Sequence, residues 1–305
     1  MRGRIVFGGL PVIKTEVLTS MPARFRDATK RRKGVAPRFH HVDSFLEGPS
    51  FDRDGNLWVV DIPFGRVFRI TPAGEWDVAV QYDGEPNGLK IHKDGRIFIA
   101  DYRHGIMVMD PKSAQVEPLL EWRHTEKFRG VNDLVFASNG DLYFTDQGLT
   151  SLSDPTGRVY RYTSAGRLEC MLHNAPSPNG IVLSPKEDWL YIAITVGASV
   201  WRMQPTNDGS AKVRLHTQMV CGGADGLAMD EEGNLIIANV GIGLLWVVDK
   251  RGVPLYRVDG CGGNLCTNVA YGGSNRKRLY ITDSEHGRIL TAEMPVAGQT
   301  MYSHL

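Results

Sequence analysis

The stretch Asp94-Gly95-Arg96-Ile97-Phe98-Ile99-Ala100-Asp101 decides the fold, because it joins a tight turn to a short apolar strand. Asp-Gly or Asn-Gly before a β-branched or aromatic run is a strong signal for a β-hairpin. The turn needs a positive φ, which glycine adopts without strain. This stretch therefore predicts a hairpin.

The same unit occurs six times. Its first apolar residue stands at positions 57, 97, 142, 190, 235 and 279, at steps of 40, 45, 48, 45 and 44 residues. Another short strand precedes each unit, and a third follows several of them. About four strands in 40 to 48 residues is the size of one propeller blade. The sequence therefore predicts an all-β fold, a six-bladed β-propeller with four-stranded blades. A linear solenoid would need polar capping repeats, and neither end unit resembles one.

The period divides the chain into three parts, namely an irregular N-terminal arm (1–44), the propeller (45–298) and a C-terminal tail (299–305). Residues 22–38 of the arm are basic and poor in apolar side chains, so a solvated tail is the simplest interpretation. A mobile arm, a lid and an oligomer contact are the alternatives. Residues 4–7 or 12–18 could instead add a strand to the last blade and close the ring.

The composition is close to the average of soluble globular proteins. Of the 305 residues, 35 are Lys or Arg and 34 are Asp or Glu, which gives a formal net charge of +1. Such a chain has no general field for gathering nucleic acid or an anionic membrane. No apolar run reaches the roughly 18 residues of a spanning helix, and the N-terminus lacks the apolar core of a secretory signal. We therefore expect a cytoplasmic protein with neither nucleic acid nor membrane as partner, and the oligomeric state stays open.

Four cysteines stand at irregular spacing, at positions 170, 221, 261 and 266. They match neither a zinc pattern nor a dense disulfide framework. Free thiols are therefore expected, with a bridge from Cys221 to Cys261 or Cys266 as the alternative.

One aligned position carries an oxygen-bearing side chain in every unit. The residue immediately before the inner strand is, in chain order, Glu47, Asn87, Asn132, Asn179, Asp225 and Asn268. Since the inner strands of a propeller line its channel in the same direction, these positions predict one ring at one mouth. Two carboxylates and four amides suit a hard cation, which favours Ca²⁺ first, Mg²⁺ or Mn²⁺ second, and Zn²⁺ less. The alternative, that Asx residues merely form turns ahead of strands, explains Glu47 least well.

The loops after the second strand of each blade are expected to form the wall of this mouth. His104 and His286 stand in two of these loops and are candidates for proton transfer, although a loop histidine is more often a surface residue. Arg129 reaches the same face, where it could orient a carbonyl or carboxylate or remain a solvated arginine.

Five short motifs follow one another at blade spacing, namely Glu47-Gly48-Pro49, Val131-Asn132-Asp133, Pro178-Asn179-Gly180, Ala224-Asp225-Gly226 and Thr267-Asn268-Val269-Ala270-Tyr271-Gly272-Gly273. Together they resemble the senescence marker protein, gluconolactonase and luciferin-regenerating enzyme family, whose members are six-bladed calcium-binding propellers. The resemblance extends over about residues 45–295. It implies a metal-dependent lactonase that opens a small sugar lactone or related cyclic ester.

The resemblance also assigns roles to individual positions. It implies that Glu47, Asn179 and Asp225 are metal ligands, and that Asn132 is a further ligand or a substrate contact. Asp133 matches an acidic position implicated in lactone hydrolysis in some members. The full set of candidate substrate contacts is Asn87, Asn132, Asn268, Arg129, His104 and His286.

The family's sugar-lactone enzymes often carry arginine two residues before the asparagine that Asn132 matches. In this chain that place is Gly130, and the arginine is Arg129. The resemblance therefore supports the fold more strongly than it supports a gluconolactone-like substrate.

The implied chemistry is addition of water to a lactone carbonyl that a divalent ion polarises. Asp225 or Asp133 would take the proton from the water. Because a bound cation lowers the pKa of its carboxylate ligand, the choice between the two stays open. A covalent serine mechanism is disfavoured, since the chain has no Gly-x-Ser-x-Gly element.

Two other functions compete with hydrolysis. The stretch 94–101 also looks like an NHL repeat, and NHL propellers can bind RNA or protein. Such a module would need a basic mouth, whereas the predicted ring contains carboxylates. A strictosidine-synthase-like or isomerase activity is the third hypothesis, because a fold does not fix a function.

Overall fold

The computed structural model describes residues 9–206 and 212–305, and it contains six blades arranged in a ring. The predicted six-bladed β-propeller is therefore confirmed. Within the described ranges, no helix is long and apolar enough to span a membrane. All four cysteines are free, as expected.

Two strands precede the blades, β1 (Val12–Lys14) and β2 (Glu16–Ser20). Blades I and II contain β3 (Leu46–Phe51), β4 (Leu57–Asp61), β5 (Arg66–Ile70), β6 (Trp76–Gln81), β7 (Pro86–Ile91), β8 (Ile97–Asp101), β9 (Gly105–Met109) and β10 (Val116–Leu120). A small hairpin, β11 (Trp122–Arg123) and β12 (Glu126–Lys127), leads to blade III, which contains β13 (Val131–Phe136), β14 (Leu142–Asp146), β15 (Gly157–Tyr162) and β16 (Leu168–Ala175).

Blades IV to VI contain β17 (Pro178–Leu183), β18 (Leu190–Ile194), β19 (Ser199–Met203), β20 (Arg214–Gln218), β21 (Gly223–Met229), β22 (Leu235–Val240), β23 (Leu244–Val248), β24 (Pro254–Asp259), β25 (Cys266–Gly272), β26 (Arg278–Asp283) and β27 (Arg288–Glu293). Short 3₁₀ helices occur at Ala23–Phe25, Ala28–Lys30, Pro37–Phe39, Ile62–Phe64 and Tyr302–His304.

The N-terminal strands complete two blades. Strand β2 pairs antiparallel with β27, with Val17 opposite Leu290, and so supplies the fourth strand of blade VI. Strand β1 runs parallel to β24 and adds a fifth strand to blade V. Each added strand covers an edge that β27 or β24 would otherwise expose. The other stretch considered for this role, residues 4–7, lies outside the described residues.

The apolar core lies between neighbouring blades. One buried cluster joins Ile236 and Val247 of blade V to Leu279 of blade VI. Another contains Phe68 and Trp76 of blade I, whose rings meet edge to face at 5.3 Å. Each fully buried side chain of this size contributes about 1.5–3 kcal/mol, so blade-to-blade packing holds the ring rigidly around its channel.

The arm is docked on the propeller by its arginines. Arg24 donates to the carbonyl oxygen of Trp76 at 2.9 Å, Arg26 donates to that of Gly287 at 3.3 Å, and Arg32 pairs with Glu85. The solvated tail expected for residues 22–38 is therefore wrong. Its guanidinium groups reach carbonyls and carboxylates that are distant in sequence, and a charge pattern alone does not reveal such partners.

The C-terminal tail crosses the opposite end of the channel. The Tyr302 ring stacks on Phe136 with 4.9 Å between centroids, and Gln299 donates to the carbonyl oxygen of Leu183 at 3.0 Å. Arg53 donates to the carbonyl oxygen of Ser303 at 2.8 Å. A cavity of about 100 Å³ remains between the tail and the inner strands. The far end of the channel is thus covered, which leaves the arm side as the open mouth.

His216 of β20 is buried in blade IV. Its ring lies edge-on to Tyr191 at 4.9 Å, and both ring nitrogens are buried without a hydrogen-bond partner among the described residues. Burial, and then the charge of Arg202, lower the pKa of His216 from 6.5 to about 4. The unfolded chain binds this proton at a higher pH than the folded protein does. The contribution of neutral His216 to the free energy of unfolding is therefore complete above pH 6.5 and decreases as the pH falls towards 4.

We expect His216→Leu to reduce the loss of unfolding free energy between pH 7 and pH 5 by about 2 kcal/mol. Urea unfolding at both pH values measures this difference, and His173→Leu, at a more exposed position of blade III, is the control. An unchanged pH dependence in His216→Leu would show that the histidine titrates normally in the folded protein.

Candidate metal and substrate site

The ring of oxygen-bearing side chains forms at one end of the channel. Its members stand on the first strand of each blade, and these six strands contact one another around the axis. All six side chains are buried. Five of them line one cavity of about 390 Å³, namely Glu47, Asn87, Asn132, Asn179 and Asp225. Equivalent positions of the repeat therefore lie together around one cavity.

A break in strand pairing aims these side chains inward. The register between first and second strands shifts close to the ring position in every blade, for example between Glu47 and Ser50 and between Ala224 and Leu227. A β-bulge bends its strand and redirects a side chain. The shift thus turns one residue per blade towards the channel.

Glycine follows the ring residue in four blades, and this permits close approach of the blades. At Gly180, a Cβ atom would lie 2.3 Å from the carbonyl oxygen of Asp225, and at Gly226 it would lie 2.2 Å from the Asn268 side chain. Only a residue without a Cβ fits such spacing. Neighbouring ring side chains are therefore held near one another by the backbone itself.

Glu47 is held by Asn268 from outside the cavity. The Asn268 Nδ2 atom donates to Glu47 Oε2 at 2.8 Å, and the backbone N–H of Gly48 donates to the same oxygen at 3.0 Å. The Asn268 oxygen accepts from the backbone of Val269. Asn268 therefore positions a carboxylate, and it is absent from the cavity wall where a substrate contact was predicted. Burial raises the pKa of Glu47 to about 7.

Asp225 lines the same cavity, and it is also buried. Burial, and then the negative charges of Glu47 and Asp133, raise the pKa of Asp225 well above its ordinary value. Among the described residues, no Lys, Arg or His nitrogen lies within 4.0 Å of the Glu47 or Asp225 carboxylate. Two buried carboxylates without a cationic side chain are electrostatically unfavourable, and a bound cation would relieve this.

The donor chemistry fits a hard cation. Asn132 donates from Nδ2 to Gln147 Oε1 at 3.0 Å, which leaves its amide oxygen for another partner, and Asn179 lines the same cavity. Two carboxylates with neutral amide oxygens are a donor set that Ca²⁺ accepts. In the described ranges, no group of three or more His, Cys, Asp and Glu side chains could hold a metal ion. The candidate set instead relies on amides for its remaining ligands.

Asp133 lies behind the ring. It is buried, its Oδ1 accepts from the backbone of Leu134 at 2.8 Å, and the Lys90 ammonium lies 3.9 Å away. Burial raises the pKa of Asp133, and Lys90 opposes this. Asp133 is not part of the wall of the mouth cavity. Sequence reasoning missed Lys90, although a lysine inside the apolar run 88–91 was a usable signal.

Three residues that were predicted to contact the substrate do not line the cavity, namely His104, His286 and Arg129. His104 Nε2 lies 2.8 Å from the carbonyl oxygen of Asp83, and His286 Nδ1 lies 3.1 Å from Asp283 Oδ2. The Arg129 guanidinium donates to Thr156 Oγ1. All three side chains therefore make contacts within the rim loops.

The wall of the cavity comes from the arm and from three loops that sequence reasoning assigned to it. The loop residues include Ile62, Leu149 and Thr195, and the arm adds Arg38 and Phe39. The arm residues carried no local signal, because only the docking of residues 23–45 brings them to the mouth.

A family model described as the SMP-30/Gluconolactonase/LRE-like region matches residues 45–285. Lactonase drp35 of Staphylococcus epidermidis (strain ATCC 12228 / FDA PCI 1200) is 31% identical over 228 residues, which cover 70% of this chain and 69% of that protein. Lactonase drp35 of Staphylococcus aureus (strain MRSA252) is 30% identical over 227 residues, with the same coverage.

Two solved structures share the fold. The calcium-binding protein regucalcin of Agrobacterium tumefaciens (strain C58) has a TM-score of 0.77 and 20% identity, and the match covers 97% of this chain and 99% of that one. A gluconolactonase of Xanthomonas campestris has a TM-score of 0.73 and 23% identity, with 94% and 98% covered.

Proposed function

Because this chain belongs to the SMP-30/Gluconolactonase/LRE-like family, we propose that it hydrolyses a small lactone at the mouth of its channel with the help of a divalent cation. The curated relatives are named lactonases, and regucalcin is described as calcium-binding. The observation that carries the proposal is the pair of buried carboxylates, Glu47 and Asp225, which share a cavity with amide oxygens and have no cationic partner among the described residues. Ca²⁺ is the ion that this donor set favours.

The residues of the ring would have different roles. Glu47, Asn179 and Asp225 would hold the cation, and Asn132 would be a further ligand or orient the lactone. When bound, the cation supplies Lewis-acid chemistry that polarises the lactone carbonyl. Asn268 acts through Glu47, whose carboxylate it holds in place.

We assign the proton acceptor to Asp225. A general base must reach the water that attacks, and Asp225 lines the cavity whereas Asp133 does not. A carboxylate has two oxygens, so that one can bind a cation while the other accepts a proton. Burial beside Glu47 raises the pKa of Asp225, which offsets the loss of basicity that a cation causes.

In the proposed hydrolysis, Asp225 takes up one proton and later returns it. The water oxygen forms a bond to the carbonyl carbon, and its proton passes to Asp225. The ester C–O bond then breaks, and the leaving alkoxide takes the proton back from Asp225. The product is a hydroxy acid, and the enzyme returns to its starting state.

A lactone panel assayed with and without chelator tests the proposal. We expect hydrolysis to be lost after dialysis against a chelator and to return on addition of one equivalent of Ca²⁺, with the ion counted by elemental analysis. Full activity in metal-free protein would overturn the role of the cation. No turnover of any lactone by the calcium-loaded protein would overturn the lactonase itself.

A further inference from the structure

One cationic side chain of the arm lies in the wall of the mouth cavity. The arm carries seven basic residues between positions 22 and 38, namely Arg24, Arg26, Lys30, Arg31, Arg32, Lys33 and Arg38. Arg24, Arg26 and Arg32 dock the arm by donating to oxygens of the propeller, and Arg31 donates to the carbonyl oxygen of Val42 within the arm. Arg38 instead lines the cavity that also contains Glu47 and Asp225.

Arg38 is held by aromatic rings. Its guanidinium carbon lies 4.7 Å from the centroid of Phe39 and 5.9 Å from that of Tyr102. In the part of the chain that the structure describes, no carboxylate lies within 4.0 Å of it. A guanidinium has several in-plane N–H donors, and a carboxylate matches their fork geometry. The cavity wall therefore offers a cationic contact for an anion.

Part of the wall beside Arg38 is apolar, and polar side chains line other parts of it, including Gln147, Thr150 and Thr195. Phe39, Phe45, Ile62 and Leu149 line the apolar part. Leu149 is 83% exposed, so it presents apolar surface to the solvent at this mouth. A hydroxyl group placed against these four side chains would lack a hydrogen-bond partner, at a cost in binding. An apolar body fits them better.

Charge in the cavity supports the same conclusion. Glu47 and Asp225 would repel an anionic substrate, but a divalent cation between them would cancel their two negative charges. Arg38 would then be the uncompensated charge of the wall, and long-range attraction favours an anion. Resting on the proposed lactonase function, we propose that Arg38 selects lactones that carry a carboxylate on an apolar body.

The test uses two lactones that share one apolar body and differ in a single group, a carboxylate in one and a primary carboxamide in the other. We expect the wild-type protein to prefer the carboxylate lactone by about tenfold or more in kcat/KM, as charge-assisted hydrogen bonds are stronger than neutral ones. In Arg38→Gln this ratio should fall close to one, and Arg38→Lys should retain part of it. Lys33→Gln is the matched control, because it removes a positive charge from the same arm outside the cavity wall.

The outcomes separate this inference from the proposed function. Equal turnover of both lactones by the wild-type protein, or an unchanged ratio in Arg38→Gln, would overturn the role of Arg38 and leave the lactonase intact. If neither lactone is hydrolysed, the lactonase proposal fails, and calorimetry on the calcium-loaded protein decides about Arg38. Binding of the carboxylate lactone that is lost in Arg38→Gln would support the inference, and equal binding by both proteins would refute it.

Discussion

Asp225→Asn is expected to lower kcat for lactone hydrolysis by about 10³-fold, because it removes the proposed proton acceptor while preserving the shape of the side chain. The substitution should not unfold the protein. Burial and the neighbouring charge of Glu47 raise the pKa of Asp225, so its ionised form is unfavourable in the cation-free site. A neutral amide should therefore leave the melting temperature of the metal-free protein equal to that of the wild type or higher.

Steady-state kinetics and thermal melts, each with and without Ca²⁺, measure both expectations. Asp77→Asn is the matched control, since Asp77 lies on the outer strand of blade I and pairs with Arg69 at the surface. Wild-type turnover in Asp225→Asn would remove Asp225 from the mechanism. A large fall in the melting temperature of the metal-free variant would instead show that the carboxylate stabilises the fold.

Glu47→Gln is expected to weaken Ca²⁺ binding by about 100-fold, because it removes one of the two charged ligands in the proposed set. Asn268→Ala, which removes the amide that holds Glu47, should weaken binding by about tenfold, the usual effect of losing a partner of a ligand. Isothermal titration calorimetry gives both values. Equal affinities in all three proteins would place the cation elsewhere.

The pH dependence of the same titration provides a second readout. Because the pKa of Glu47 is raised to about 7, this group holds a proton at pH 6 and loses it by pH 8. The cation must displace that proton, so Glu47 alone should lower the affinity by about tenfold from pH 8 to pH 6. Glu47→Gln should show a weaker dependence, to which only Asp225 contributes.

The blades could be predicted from sequence because their signals are local. Turn glycines and apolar runs fix where a strand begins, and β4, β8 and β14 begin at Leu57, Ile97 and Leu142, the residues that defined the period. The position of the ring followed from the same period, since equivalent residues of equivalent strands occupy equivalent places. Five of the six ring side chains accordingly line one cavity.

The contacts of individual side chains could not be predicted, because they depend on packing between distant segments. Asn268 occupies the same position of the repeat as the other ring residues. Its amide nevertheless donates to Glu47, 221 residues away, and its side chain does not line the cavity. Arg32 meets Glu85 only because the arm folds back over the rim. His104 and His286 stand in rim loops as expected, but backbone and carboxylate partners hold them there.

The pairing of β2 with β27 sets the order in which the molecule can be completed. Strand β2 is synthesised before every blade, and its partner β27 follows roughly 270 residues later. Early blades can collapse during synthesis, but blade VI has no complete sheet until translation has passed residue 293. We therefore expect slow final closure, since joining such remote segments carries a high entropic cost. Until then, the nascent chain exposes an unpaired edge that a chaperone could shield.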